Sequence, residues 1–498
     1  MASRKRPAAA AAAAAALLAL LLALSNACAA WAQNSGQGQP DNFKEPKTGA
    51  LVLVNDHEGN DDFALFDDSA KKLHPLPKGK KPPKKDKNGK TLKLGDVVTI
   101  VMMVDAPTCG NATAETTVDA LRAAYLGPAL DGKGGVAYRA EMCSYGELMI
   151  SVPAFTVIRI TPSCTWDTTT CDWSGIYSAA IAAAPAALKA AASPYLVADF
   201  TNYHIVIRQD ICRWSGLATM GSNANTVWLK PGSIVPSSWQ VPMQEMIHNF
   251  VMYHSYGDGS EYNDYTSFMG SGNACPNAKE LALLGWASPA TGGLLDGTSI
   301  AAGAATGPIM LPATYLTGAG AYARVKPTWM SSYTSTDPTT GGKNLYFEVR
   351  KDGNADASII PSFVNALIVH QVIAYMDNDQ ATYRSDNAIN DFVTFIAPNT
   401  RTVISSWNIK NYNLVVYTGS MFGSQGAILP VYFCRFVTAE TGGKAKPGER
   451  APPLPPMTPD HPPPTSGHRP PPRRSPPRHR NGYNAPPPHH RQQMRQRA

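Results

Sequence analysis

The chain has 498 residues, of which 44% are hydrophobic, and a formal net charge of +7, so it is long enough for a large core and more than one domain. The positive charge is concentrated at the ends, because residues 441–498 hold eleven Lys and Arg against two acidic residues. The remainder is mildly acidic, which argues against a nucleic-acid-binding domain.

Residues 1–32 have the organisation of a secretory signal peptide. A basic segment, residues 4–6, precedes an apolar run that ends at Leu24, and small residues suitable for cleavage follow. An N-terminal membrane anchor is the alternative, although the run is barely long enough to span a bilayer. No later stretch is apolar enough to do so, and we expect a secreted protein that does not contact the membrane after cleavage.

Export favours disulfide bonds, and seven cysteines remain after cleavage, so one free thiol is expected. None of them is spaced as CxxC, which argues against a cysteine zinc site. Asn111 begins an N-A-T sequon and is a predicted glycosylation site on a surface loop. The seven are Cys109, Cys143, Cys164, Cys171, Cys212, Cys275 and Cys434.

The N-terminal third begins with a polar linker, residues 33–47. Residues 48–105 alternate short apolar segments with turn residues, which predicts a small β module. A Lys-rich insert from Lys78 to Lys90 interrupts it. We interpret the insert as a solvated loop, with a cleavage site or a polyanion contact as the alternative.

Residues 106–289 mix helical and strand patterns, which predicts an α+β domain. They include an alanine-rich helix from Ile176 to Ala192 and a strand at 203–208. The stretch 216–229 is rich in glycine and polar residues and then becomes extended, as is typical of an exposed edge strand beside a cleft. A peptide substrate can add itself there as a further strand.

Residues 290–440 predict a β-rich C-terminal domain, because apolar, β-branched runs recur at regular spacing from residue 344 onward. Residues 441–498 are proline-rich, basic and nearly free of large apolar side chains. Such a tail cannot form a core, so we expect it to be extended, disordered and in contact with a polyanionic matrix.

The segment QEMIH, residues 244–248, carries the clearest chemistry. On a helix, Gln244 and His248 lie on one face and can bind one ion, while Glu245 lies one step round. His254 would point about 240° further round an unbroken helix. The helix must therefore end between His248 and His254 if both are to reach the same ion.

The run QEMIHNFVMYHS, followed by EYNDYTSFMGSG, resembles the gametolysin family of secreted, matrix-lysing metalloproteases of green algae, which belongs to the metzincin clan. The segments CSYGEL, CRWSGLATMGS and CPNAKELALLGW occur in the family's order, and the likeness covers most of residues 48–440. It implies an α+β, metzincin-like catalytic domain with an active-site helix and a mixed sheet. The N-terminal β module, which resembles the family's pro-region, and the C-terminal β-rich domain would flank it.

The resemblance also implies roles for individual residues. Gln244, His248 and His254 would bind one zinc ion, Glu245 would be the general base, and Met269 would form the turn beneath the metal. A glutamine oxygen is a weaker donor than imidazole, so another divalent metal such as copper is an alternative.

The chain departs from the clan pattern at two positions. Val251 stands where the clan has a glycine at the helix end, and a left-handed β-branched residue costs about 1–3 kcal/mol. Residue 271 is serine where the clan has a tyrosine, with Tyr262 and Tyr265 as alternative sources of a hydroxyl. For Cys109 we expect a disulfide, with thiolate capping of the metal as the alternative.

These features predict a secreted, metal-dependent endopeptidase that cleaves extracellular-matrix or cell-wall glycoproteins. The alternative is a matrix protein that retains the scaffold but is catalytically weak or inactive because Gln244 and Val251 impair the site.

Overall fold

The computed structural model describes residues 51–55, 96–220, 224–378 and 390–436. All of them belong to one unit, Met1–Lys444, and none lies in the second unit, Ala445–Ala498. The predicted signal peptide, linker, Lys-rich insert and proline-rich tail fall outside the described residues. Within the described ranges, no helix has the length and apolarity needed to cross a membrane.

These ranges contain six α-helices and nineteen β-strands. The helices are α1 Val118–Leu126, α2 Gly135–Cys143, α3 Trp173–Ala190, α4 Gln240–His248, α5 Ala278–Leu284 and α6 Ala374–Asn378. The strands are β1 Leu51–Asn55, β2 Asp96–Val97, β3 Thr99–Val104, β4 Met149–Ile150, β5 Thr156–Ile160, β6 Asn202–Val206, β7 Gly216–Met220, β8 Thr226–Leu229, β9 Tyr256–Gly257, β10 Ser260–Glu261, β11 Pro289–Leu295, β12 Ala305–Pro312, β13 Tyr322–Val325, β14 Lys343–Arg350, β15 Ala366–Ile373, β16 Asn390–Ile396, β17 Arg401–Val403, β18 Leu414–Thr418 and β19 Ile428–Arg435.

A six-stranded mixed sheet, in the order β1-β7-β8-β6-β3-β5, carries the first half of the unit. Strands β3, β5, β6 and β8 are parallel, whereas β7 is antiparallel to both β8 and β1. All six residues of β3 are buried, as expected for a parallel strand that is covered on both faces.

The two faces of this sheet form two cores, because successive side chains of a strand point in opposite directions. Val101 and Met103 contact the cluster that contains α1, α2 and α4. Ile100 and Met102 contact the cluster built on α3. Helix α4, which carries the QEMIH segment, therefore lies on the face of α1 and α2.

The structure differs from the predicted boundary at residue 105. Strand β3 pairs with β5 and β6 at the centre of the sheet, and β1 pairs with β7, so the described strands of 48–105 do not form a separate module. Residues 216–229 form two strands, and β1 covers the outer edge of β7 that was expected to be exposed. A local pattern indicates a strand but not its partner, which explains both differences.

The second half is β-rich. A seven-stranded sheet, β10-β9-β16-β15-β14-β13-β11, and a four-stranded sheet, β12-β19-β18-β17, share one apolar core. Strands β9 and β10 precede residue 289 but join the larger sheet through β16. Residues 106–289 and 290–440 are therefore joined by a common sheet.

Two disulfides, Cys143–Cys275 and Cys171–Cys212, connect described residues. Among those residues, Cys109, Cys164 and Cys434 are free thiols, which differs from the single free thiol expected. The disulfide expected at Cys109 is absent, and this thiol is buried. Pairing depends on which loops the fold brings together, which cysteine spacing does not show.

Candidate metal centre

Helix α4 presents two predicted ligands and ends at the second. Gln244 and His248 are one turn apart on its buried side and are 1% and 0% exposed. The helix stops at His248, and Val251 takes a left-handed conformation with φ of +63°. This is the helix end that the position of His254 required, and it places a β-branched residue in a strained region.

Asn249 ties the end of α4 to the sheet. Its Nδ2 atom donates to the carbonyl oxygens of Thr219 on β7, at 2.7 Å, and Thr226 on β8, at 3.2 Å. This role of Asn249 was not predicted from the sequence. The only signal for it was a polar amide directly after an otherwise apolar helix end.

The two imidazoles, His248 and His254, converge after this turn. Their ring centroids are 4.7 Å apart. His248 Nδ1 is 2.6 Å from the Met252 carbonyl oxygen, and His254 Nδ1 is 2.5 Å from Glu261 Oε1. Because an acceptor holds each Nδ1, Nε2 is the atom that each ring offers to a cation.

The neutral state of the His248 ring also favours metal binding. Burial, and then the neighbouring His254, hold the pKa of His248 well below its usual value, despite the hydrogen bond to Met252. Its Nε2 is buried and has no hydrogen-bond partner among the described residues. A neutral, buried imidazole nitrogen of this kind is a suitable metal ligand.

Met269 connects the first and third predicted ligands through its backbone. Its carbonyl oxygen accepts hydrogen bonds from Gln244 Nε2, at 3.4 Å, and from the backbone N–H of Ser255, at 2.8 Å. Ser255 directly follows His254. Since Gln244 uses its nitrogen in this contact, its amide oxygen is the atom that would bind a metal.

Glu245, the predicted general base, is fully buried beneath strand β7. A Cβ atom added at Gly216 would lie 2.6 Å from Glu245 Oε1. The carboxylate therefore lies against the backbone of the strand to which a peptide was predicted to bind, and the absence of a side chain at residue 216 makes this contact possible.

No role was predicted for Glu261 from the sequence, although it belongs to the EYND motif, and Tyr262 and Tyr265 were alternative sources of a hydroxyl. Glu261 orients His254, and the Tyr262 hydroxyl is 3.1 Å from His254 Nε2. Tyr265, the other tyrosine considered, is 46% exposed. Of the two tyrosines, Tyr262 is the one whose hydroxyl reaches the site.

This donor set fits a divalent cation. Within the described residues, no group of three or more His, Cys, Asp or Glu could hold a metal ion, so a site here needs the amide oxygen of Gln244 beside the two histidines. One oxygen and two imidazole nitrogens suit zinc, and they also suit copper.

Asn111, the predicted glycosylation site, is exposed in a turn after β3.

Comparisons with known proteins bear on the family of this chain. Autolysin from Chlamydomonas reinhardtii is 35% identical over 86 residues, which cover 16% of this chain and 13% of the relative. No solved structure matches the chain. The sequence model of the gametolysin peptidase M11 family matches residues 98–406, a range that contains helix α4, both histidines, Met269 and most of the C-terminal strands. The chain therefore belongs to the gametolysin peptidase M11 family.

Proposed function

We propose that this protein is a secreted zinc endopeptidase in which Gln244, His248 and His254 bind the metal and Glu245 is the general base. Membership of a metallopeptidase family supports the reaction type. The observation that carries the residue assignment is the 4.7 Å separation of the two imidazole rings, each held at Nδ1 so that Nε2 remains as the donor. A cation at His254 Nε2 would displace its contact with the Tyr262 hydroxyl.

Zinc, when bound, would polarise the scissile carbonyl group and acidify a water molecule at an open coordination position. Glu245 accepts a proton from the attacking water and returns it to the leaving amine. Its burial beneath β7 keeps this carboxylate away from bulk solvent, which strengthens its electrostatic interactions with the reacting groups.

The substrate binds as an extended strand along the outer edge of β7, where backbone hydrogen bonds hold it and side-chain pockets set preference. Strand β1 occupies this edge, with partners that run from Leu51 and Met220 to Asn55 and Gly216. Residues 51–55 must therefore leave before a peptide can bind, which agrees with the pro-region-like character of the N-terminal segment. The antiparallel β7 beside parallel strands supports assignment of the domain to the metzincin clan.

The substrates are glycoproteins of an extracellular matrix or cell wall. The predicted signal peptide supports export, and the basic, proline-rich residues 441–498 support attachment to a polyanionic matrix. Glycosylation at Asn111 is proposed on the same basis, because the residue is exposed.

The second candidate is a non-catalytic matrix protein that retains the scaffold. The strained φ of +63° at Val251 favours it, because strain at a ligand-bearing turn weakens the site. The intact convergence of His248 and His254 favours the peptidase.

Glu245→Ala separates the two. The wild-type protein and the variant, each freed of the segment that contains residues 51–55 by limited proteolysis, are assayed for zinc content and for cleavage of an unfolded protein, with removal of zinc by a chelator as a further condition. We expect the variant to keep its zinc and fold while activity is lost. Glu147→Ala, at an exposed carboxylate, is the control and should be fully active. A wild-type chain without stoichiometric metal would support the matrix protein instead.

A further inference from the structure

The segment Asp264–Gly272, which carries Met269 and is called here the Met269 turn, rests on a buried polar cluster. Asp264 is fully buried. Its Oδ1 accepts hydrogen bonds from the backbone and hydroxyl of Thr266, at 2.7 and 2.6 Å. Its Oδ2 accepts one from Ser255 Oγ, at 2.6 Å, and contacts His370 Nε2 at 3.0 Å. The carboxylate is therefore held from both sides.

His370 comes from strand β15, 106 residues away from Asp264 in the chain, and both side chains are 0% exposed. Burial lowers the pKa of His370, but the Asp264 carboxylate, together with Glu348 and Glu280, more than offsets this and leaves the pKa raised. The two groups therefore form a buried ion pair. Removing one partner of such a pair leaves an uncompensated buried charge. The folded state therefore strongly favours keeping the two side chains together.

Asn390, on strand β16, provides a second connection from the same sheet. Its Nδ2 donates to Ser255 Oγ, at 3.1 Å, and to Glu280 Oε1, at 3.0 Å. Ser255 thus contacts Asp264 and Asn390 through its side chain and Met269 through its backbone. Two strands of the C-terminal sheet therefore hold the residue that directly follows His254.

We propose that His370 and Asn390 are positioning residues of the metal centre, which act through Asp264 and Ser255 on His254 and the Met269 turn. They touch neither substrate nor metal. The C-terminal sheet is in this view a part of the metal centre rather than an accessory module. The inference rests on the proposed function, because it concerns the same zinc site.

The test replaces His370 in the whole chain and measures zinc affinity by competition with a chelator, together with the visible spectrum of the cobalt-substituted protein. Loss of a group that orients a ligand typically weakens metal affinity about 10- to 100-fold, and we expect that range for His370→Leu with a changed cobalt spectrum. His370→Gln, which keeps a donor for Asp264, should restore affinity to within a few-fold.

Asn344→Leu is the matched control, because it also replaces a fully buried polar side chain with leucine. Asn344 is fully buried on β14, and its hydrogen bonds go to Tyr333, Asp377 and Asn378, none of which lies in the Met269 turn. It should lower the unfolding midpoint but leave zinc affinity and the cobalt spectrum unchanged. If His370→Leu does not fold, Asn390→Ala provides the same comparison, with a smaller loss of affinity expected.

Two outcomes overturn the inference. Either the His370 and Asn390 variants bind zinc as tightly as the wild type with the same cobalt spectrum, or Asn344→Leu weakens zinc binding equally. A wild-type chain that binds no zinc contradicts the proposed function itself, so the two failures are distinguishable.

Discussion

Gly216 on strand β7 and Glu245 on helix α4 are in direct contact, and a Cβ atom at residue 216 would lie 2.6 Å from Glu245 Oε1 and 2.7 Å from its Cγ. The backbone of β7, which would bind the peptide, thus packs directly against the Glu245 carboxylate, which would activate water. An added methyl group must displace the carboxylate, because the β7 backbone is held by pairing to β8.

We therefore predict that Gly216→Ala lowers kcat/KM by about 10- to 100-fold, since a shift of roughly 1 Å in a catalytic group can cost that much, while the fold and zinc content persist. Steady-state kinetics and thermal unfolding measure both effects. Gly232→Ala is the control, because its methyl would meet only the Gln209 side chain, at 3.0 Å. Equal losses of activity in the two variants would contradict the prediction.

At residue 251 we predict that the glycine variant is more stable than the alanine variant, which is the reverse of the order inside a helix. The residue has φ of +63°, where a Cβ atom costs about 1–2 kcal/mol. Val251→Gly should therefore unfold at higher denaturant than Val251→Ala, by about 1 kcal/mol. At Ala123, inside helix α1, glycine should instead be the less stable residue by about 1 kcal/mol. The same order at both positions would show that residue 251 is unstrained in solution.

Replacement of the amide ligand should strengthen the site. We predict that Gln244→His binds zinc about tenfold more tightly, or about 1.4 kcal/mol, because imidazole is a better donor to zinc than a neutral amide oxygen. Chelator competition gives the two dissociation constants. Gln240→His, one turn earlier and outside the ligand set, should have no effect. An unchanged affinity for Gln244→His would indicate that Gln244 is not a ligand.

Glu280 makes stability depend on pH. Burial raises the pKa of this carboxyl group from 4.5 to about 8, so the folded state holds the proton more tightly than the unfolded chain. Its contribution is therefore complete below pH 4.5 and is lost as pH rises toward about 8, by up to about 1.4 kcal/mol per pH unit.

We expect Glu280→Gln, which cannot ionise, to flatten this decline in the unfolding midpoint between pH 5 and about 8. A slope should remain, because the raised pKa of His370 acts in the same direction. Denaturant unfolding at several pH values provides the measurement. A variant with the same slope as the wild type would mean that Glu280 is ionised in the folded protein at neutral pH.

Several parts of this fold could be predicted because they depend on neighbours in sequence. The helix through QEMIH and the strands between residues 343 and 435 follow local periodicity. The helix end before His254 follows instead from the condition that both histidines reach one ion. The apolar run 362–376 predicts a strand, but its last three residues belong to α6, since a short apolar run suits either state. The boundary at 105 was misplaced because strand pairing is not local.

The sequence by itself determined which donors are available, since the chemistry of Gln244, Glu245, His248 and His254 belongs to the side chains and their spacing on one helix and turn. Only the tertiary structure decided what surrounds them: Gly216 over the base, Glu261 behind His254, and His370 beneath the Met269 turn. Such contacts join residues up to 106 positions apart, and hydrogen bonds across that separation depend on how the sheets pair and pack, for which no local pattern exists.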